Sequence, residues 1–202
     1  MGIVYARTGR LDEAEKYFKK GIELDPTFPL FYNNLGNVYM GSGRYDEAEK
    51  YFTLSLQMDF TNWQVYANLN IVYQQFQRWE EAAAMGEKCI EYAPPIWRLH
   101  ALLGNAYTHV PRRLNDAKTT LDKAIEMDPD QSETYIYLAL WSLKMNQPEQ
   151  AWQYLEQGLE MSVGTNQLEL AFVEKFSGFT EMQKEAKWGE LMEKYFPGQA
   201  KD

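Results

Sequence analysis

The chain repeats its sequence at an interval of about 34 residues, and this repeat constrains the fold more than any other feature. Five alanines follow one another at spacings of 34, 34, 35 and 34, at Ala14, Ala48, Ala82, Ala117 and Ala151. A tyrosine keeps the same spacing in four copies, at Tyr5, Tyr39, Tyr73 and Tyr107. Periods of roughly 20–50 residues are typical of arrays in which each unit packs only on its neighbours. The sequence therefore predicts an array of five similar units.

Each unit has the pattern of two helices joined by a turn. In the second copy the first helix is predicted to end at Gly43, because glycine readily adopts the left-handed conformation that stops a helix. The next helix begins with Asp46 and Glu47, acids that are favourable near a helix N-terminus. Ala48 and Phe52 then recur at helical spacing and form its buried face.

The packing positions resemble those of the tetratricopeptide (TPR) repeat family. In the second copy they are Tyr32, Leu35, Gly36, Tyr39, Ala48 and Phe52. The resemblance covers about residues 1–161 and implies an all-α fold, an α-solenoid in which helix-turn-helix repeats form a right-handed superhelix. The expected units are residues 1–28, 29–62, 63–96, 97–131 and 132–161. The first unit is expected to be incomplete at its N-terminus, because Met1 stands where the family has a leucine.

The C-terminal residues depart from the period. Segments 165–176 and 180–196 have the pattern of two further helices, similar to the non-repeat ending of many bacterial TPR proteins. We therefore expect residues 162–202 to form a C-terminal helical cap, with a partner-binding helix as the alternative. The inner side of the fifth unit is apolar, so either these helices cover it or it is an open pocket; its residues are Ile136, Tyr137, Leu140 and Trp141.

Composition excludes several classes of protein. The formal charge of −9 disfavours a nucleic-acid partner, which would require clustered lysine and arginine. Cys89 is the single cysteine, so no internal disulfide is possible, and zinc ligands are too few. No apolar stretch is long enough to span a membrane, so no membrane insertion is expected. The compartment is not determined; the absence of a signal peptide favours the cytoplasm.

No constellation of catalytic residues is present in the sequence. His100 and His109 are nine residues apart, a spacing that does not place two metal ligands on one helical face. Phosphate loops, dinucleotide fingerprints and nucleophile elbows are also absent from the sequence. We therefore predict that the chain is not an enzyme and has no catalytic residue, metal ion or cofactor.

The first helix of each unit is expected to line a concave groove, and there the second and third units are rich in amides. A carboxamide has two N–H donors and a carbonyl acceptor, so it can pair with the backbone of an extended peptide. The predicted peptide-binding residues are Asn33, Asn34, Asn37, Gln64, Asn68, Gln75, Arg98 and Asn105.

Two known binding modes resemble parts of this set. Asn34 and Asn68 are similar to two rungs of the asparagine ladder in the TPR superhelix of O-GlcNAc transferase. Asn37, Asn68 and Arg98 match three of the five residues with which chaperone-binding TPR domains grip a C-terminal carboxylate. Only one of the three cations expected in that clamp is present.

The predicted function is that of a non-catalytic scaffold or adaptor, which binds an extended peptide or a partner helix in its groove. One alternative is self-association into a homo-oligomer, through the N-terminal face or the C-terminal helix. Another is that the chain is a regulatory or docking region cut from a larger enzyme.

Overall fold

The computed structural model describes residues 1–162 and 179–196, and these residues form helices and turns without any strand. Residues 1–95 form one compact unit, and the described residues from 96 onward form a second. The first unit contains α1 (Gly2–Arg7), α2 (Leu11–Leu24), α3 (Pro29–Gly41), α4 (Tyr45–Met58), α5 (Trp63–Gln75) and α6 (Trp79–Tyr92). The second contains α7 (Trp97–Thr108), α8 (Leu114–Met127), α9 (Ser132–Lys144), α10 (Pro148–Ser162) and α11 (Ala186–Tyr195), with short 3₁₀ turns at Pro111–Arg113 and Met182–Lys184.

The first unit is a stack of helix pairs. α1 packs on α2, α3 on α4 and α5 on α6, while α2 contacts α3 and α4 contacts α5, so each pair rests on the next. The periodic residues form its core, which contains Ala14, Phe18, Leu35, Val38, Tyr39, Ala48, Phe52, Val65, Leu69 and Val72. Within α3, Gly36 lies so close to Phe52 that an added Cβ would be 2.6 Å from the ring. This packing confirms the predicted all-α solenoid.

The turns within the helix pairs require a left-handed residue at one position. Gly43, two residues beyond α3, has a φ of 73°, and Gly9 occupies the equivalent place with a φ of 74°. Gln77 adopts the same conformation, with a φ of 56°, although it carries a side chain. Gly43 therefore ends the first helix in the way that the sequence predicted.

An arginine precedes the second helix in four of the helix pairs, and Arg44 and Arg78 each contact a glutamate of the preceding pair, which was not predicted from the sequence. The guanidinium of Arg44 lies 4.3 Å from the ring centre of Tyr39, and its Nη1 is 2.9 Å from Oε2 of Glu15 on the preceding pair. The same stacking recurs with Arg10 over Tyr5, Arg78 over Tyr73 and Arg113 over Tyr107. These arginines follow the repeat period, so the spacing was the signal that could have revealed them.

The third helix pair replaces the glycine–aromatic contact by a polar one. Asn70 occupies the position of Gly36, and the buried Gly86 occupies the position of Phe52. In the space thus left, Asn70 Nδ2 donates a 2.6 Å hydrogen bond to the carbonyl of Ala82. Gln74 Nε2 donates in turn to Asn70 Oδ1, also at 2.6 Å.

In the second unit, α7 packs on α8 and α9, and α9 packs on α10. The helix α11 closes this unit: the Trp188 ring lies 6.4 Å from Trp152, and Lys194 Nζ is 3.2 Å from Oε1 of Glu156. The packing of α11 is that of a capping helix, while the extent of the cap over 162–202 stays a prediction, because the predicted helix over 165–176 lies outside the described residues. The sequence left open whether the apolar side of α9 is covered or forms an open pocket. Its side chains are all buried, namely Ile136, Tyr137, Leu140 and Trp141.

Candidate functional site

A groove with a cavity volume of about 450 Å³ lies on the first unit, between α3 and α5. We call it the amide groove; its lining residues are Leu30, Asn33, Asn34, Asn37, Trp63, Gln64, Ala67 and Asn68. The residues of each helix recur every three or four positions, so they share one helical face. Because α3 and α5 occupy equivalent positions in successive repeats, these faces of the two helices lie side by side. The volume is within the range of about 300–1,000 Å³ that is usual for ligand pockets.

Two of the amides in the groove are hydrogen-bonded to each other across the repeat boundary. Asn68 Nδ2 of α5 donates to Asn37 Oδ1 of α3 at 2.8 Å. Each side chain keeps further hydrogen-bonding capacity, because a carboxamide has two N–H groups and a carbonyl oxygen with two lone pairs. The bond restricts both side chains in the free protein, which lowers the entropy lost when they bind a ligand.

Asn33 has an acceptor that the protein does not use. Its side chain is only 5% exposed, and its Oδ1 is buried with no hydrogen-bond partner among the described residues. An unsatisfied buried acceptor costs roughly 1–3 kcal/mol. Asn33 is also one of the residues that line the amide groove.

The remaining lining residues give the amide groove an apolar side without any charge. Leu30, Trp63 and Ala67 supply apolar surface beside the amides, and none of the eight lining side chains is ionisable. Trp63 was not among the groove residues predicted from the sequence. Its position four residues before Ala67, and hence on the same helical face, was the available signal.

The other predicted peptide-binding residues lie elsewhere. Gln75, the last residue of α5, is exposed and does not line the amide groove. Arg98 and Asn105 belong to the second unit. Arg98 Nε lies 3.6 Å from Oε2 of Glu133, and Asn105 is only 4% exposed. The structure thus brings together five of the eight residues, Asn33, Asn34, Asn37, Gln64 and Asn68, and it does so without a cation.

The side chains with the greatest chemical reactivity, His100, His109 and Cys89, are not among the residues that line this groove. Burial lowers the pKa of His100 and of His109; for His109 the hydrogen bond with the Asn105 carbonyl opposes part of this decrease in pKa. Burial also raises the pKa of Cys89 to about 11, so its thiol is protonated at neutral pH. Within residues 1–162 and 179–196, no three His, Cys, Asp or Glu side chains form a group that could hold a metal ion. In the same residues, no helix has the length and apolar character needed to cross a membrane.

Comparison with known proteins gives the family of the first half of the chain. A family model described as a TPR repeat matches residues 2–43, and another described as a tetratricopeptide repeat matches residues 29–94. Residues 2–94 belong to the tetratricopeptide repeat family. TPR domains bind proteins or peptides, and the family consists in general of non-catalytic interaction modules. A comparison with curated proteins gave no match.

Solved structures of TPR proteins share the fold. The crystal structure of MamA superimposes with a TM-score of 0.71 at 20% identity, covering 83% of this chain and 98% of MamA. MamA from Desulfovibrio magneticus RS-1 gives a TM-score of 0.74 at 19% identity, with coverages of 82% and 93%. YrrB, described as a TPR protein with an unusual peptide-binding site, gives 0.70 at 18% identity, with coverages of 82% and 85%.

Proposed function

We propose that the chain is a non-catalytic interaction scaffold and that the amide groove of its first unit holds an extended peptide. The observation that carries this proposal is the hydrogen-bonded pair of Asn37 and Asn68 beside the unused acceptor of Asn33. Packing of the repeats does not require amides at these positions. Together they offer donors and an acceptor along a path between two helices, which suits the alternating N–H and C=O groups of an extended backbone.

The comparisons support this proposal at the level of the family. TPR domains bind proteins or peptides, and YrrB carries a peptide-binding site on the same fold. We accordingly propose protein or peptide as the partner, rather than a nucleic acid.

A selection from a random library tests the proposal. The immobilised chain would be exposed to a phage-displayed library of 12-residue peptides, and the retained sequences would be compared with those retained by an Asn37→Ala/Asn68→Ala variant. We expect the enriched peptides to depend on both asparagines. Gln75→Ala is the matched control, because it removes an exposed amide from the same helix outside the groove. Equal retention by wild type and the double variant would overturn the proposal.

Self-association is a second candidate function, favoured by apolar exposure at the N-terminal end of the first unit. Met1, Ile3 and Val4 are 71%, 53% and 55% exposed, which is unusual for large apolar side chains close together in the chain. Pairing with another copy would bury them. Light scattering over a range of protein concentrations tests this candidate. A mass that remains that of the monomer at every concentration contradicts it. An increase in mass with concentration that the Ile3→Asp/Val4→Asp variant no longer shows supports it.

A further inference from the structure

We infer that the amide groove accepts an uncharged internal segment of a peptide, with one backbone N–H donated to Asn33 and one apolar side chain placed against Trp63. This inference rests on the proposed function and specifies its ligand. It differs from a groove that grips the C-terminal carboxylate of a partner. Three independent features of the described residues lead to it.

The first feature is the absence of charge in the amide groove. A carboxylate that leaves water requires charged or multiple hydrogen-bond donors to compensate its lost hydration. None of the eight lining side chains is a cation. Arg98, the one basic residue that the sequence suggested for such a contact, is not among the lining residues, and its Nε lies 3.6 Å from Oε2 of Glu133. The formal charge of −9 on the chain also disfavours the approach of an acidic peptide.

The second feature is the chemistry of the unused acceptor. Asn33 Oδ1 is buried and lacks a partner among the described residues, and a carbonyl oxygen can only accept hydrogen bonds. A ligand must therefore bring an N–H or O–H group to it. Every backbone residue of a peptide except proline carries such an N–H group, whatever its side chain is. A carboxylate group carries no donor, so it cannot itself be the partner of this oxygen.

The third feature is the apolar wall that faces the same space. Leu30, Trp63 and Ala67 line the amide groove together with the asparagines. In an extended segment, successive side chains point to opposite sides, so a backbone hydrogen-bonded to the amides directs one side chain toward the groove. An apolar or aromatic side chain at that position gains from the burial of the Trp63 surface, whereas a charged one loses its hydration.

Two matched synthetic libraries test the ligand class. Both contain random eight-residue peptides; in one the ends are acetylated and amidated, and in the other the C-terminal carboxylate is free. Peptides retained by the immobilised chain would be identified by mass spectrometry, and their Kd would be measured by fluorescence anisotropy. We expect capped peptides with an apolar residue and no acidic residue to be retained as well as free ones. A requirement for the free carboxylate would overturn the inference and leave the proposed function intact.

The hydrogen bond to Asn33 is tested on the ligand and on the protein. Methylation of one backbone nitrogen of a retained peptide should weaken its binding roughly two- to tenfold, the effect expected for one hydrogen bond. The unmethylated peptide should bind the Asn33→Leu variant more weakly than the wild type by the same factor. The methylated peptide gives this readout even if Asn33→Leu does not fold. Tolerance of methylation at every position would overturn the inference. If the Asn37→Ala/Asn68→Ala variant retained the peptides as well as the wild type, the proposed function would be overturned, and the inference with it.

Discussion

Replacement of Gly36 by alanine tests whether the glycine–aromatic contact determines the spacing of a helix pair. The added Cβ would lie 2.6 Å and 2.7 Å from two carbons of the Phe52 ring, far inside van der Waals contact. Phe52 is completely buried in the core of the first unit, so its ring cannot move into solvent. Overpacking of a core by a methyl group costs typically about 1–3 kcal/mol.

Gly41 on the same helix provides the matched control. An added Cβ there has no neighbour within 4 Å, so Gly41→Ala changes only the intrinsic helix preference, which favours alanine by up to about 1 kcal/mol. Gly36→Ala receives a similar gain and in addition suffers the overpacking. The difference between the two variants therefore isolates the packing cost, and we expect the free energy of unfolding of Gly36→Ala to be roughly 1–3 kcal/mol below that of Gly41→Ala.

Urea unfolding followed by far-ultraviolet circular dichroism measures this difference. The two variants should differ in the midpoint of the transition, while equal slopes would show that the same surface is exposed. Stabilities that agree within about 0.5 kcal/mol would refute the reasoning, because such a difference is no larger than that of an ordinary surface substitution. That result would mean that α3 and α4 can separate at little cost.

Three further predictions concern single side chains. Cys89 is buried with a pKa raised to about 11, and its Sγ contacts the Trp63 carbonyl at 3.3 Å, so thiol reagents at pH 8 should label it only after unfolding. Burial lowers the pKa of His109 below its ordinary 6.5, so at mildly acidic pH the unfolded chain binds more protons than the folded one. The free energy of unfolding should therefore decrease from pH 7.5 to pH 5.5. Urea titrations should show a smaller decrease for His109→Gln. Gln77→Gly relieves a left-handed conformation at φ 56°, so it should raise the thermal midpoint, whereas Gln75→Gly on the neighbouring helix should lower it.

The repeat predicted the fold because its signal is redundant. The alanine position recurs in all five units, and each of these alanines is completely buried in the structure, namely Ala14, Ala48, Ala82, Ala117 and Ala151. An error at one position would not have changed the period. The arginine series was missed although Arg44 and Arg78 follow the same spacing, because an arginine between helices is equally compatible with a solvated turn. The role of Arg44 is recognisable only from the structure, in which its Nη1 contacts Oε2 of Glu15 on the preceding helix pair.

The candidate site was only partly predictable, because periodicity assigns a residue to a helical face but not to a neighbourhood. Asn34, Asn37 and Asn68 come together in one groove since their helices belong to successive pairs of one unit. Asn105 falls on the corresponding face of α7, yet its side chain is buried. Whether an amide on that face remains accessible depends on side chains that are distant in sequence, which a period does not specify.

The third helix pair shows how a departure from a repeat can be separated into packing and function. Asn70 is an asparagine in an amide-rich part of the chain, but its hydrogen bond to the Ala82 carbonyl and its place opposite Gly86 show that it fills the space of a missing aromatic ring. It therefore replaces one packing solution by another. Asn33 has the opposite character: it is as polar and nearly as buried, yet its oxygen has no partner among the described residues. Burial without a partner is unfavourable for folding, and for this reason we propose, rather than a packing role, that the partner of Asn33 comes from a ligand.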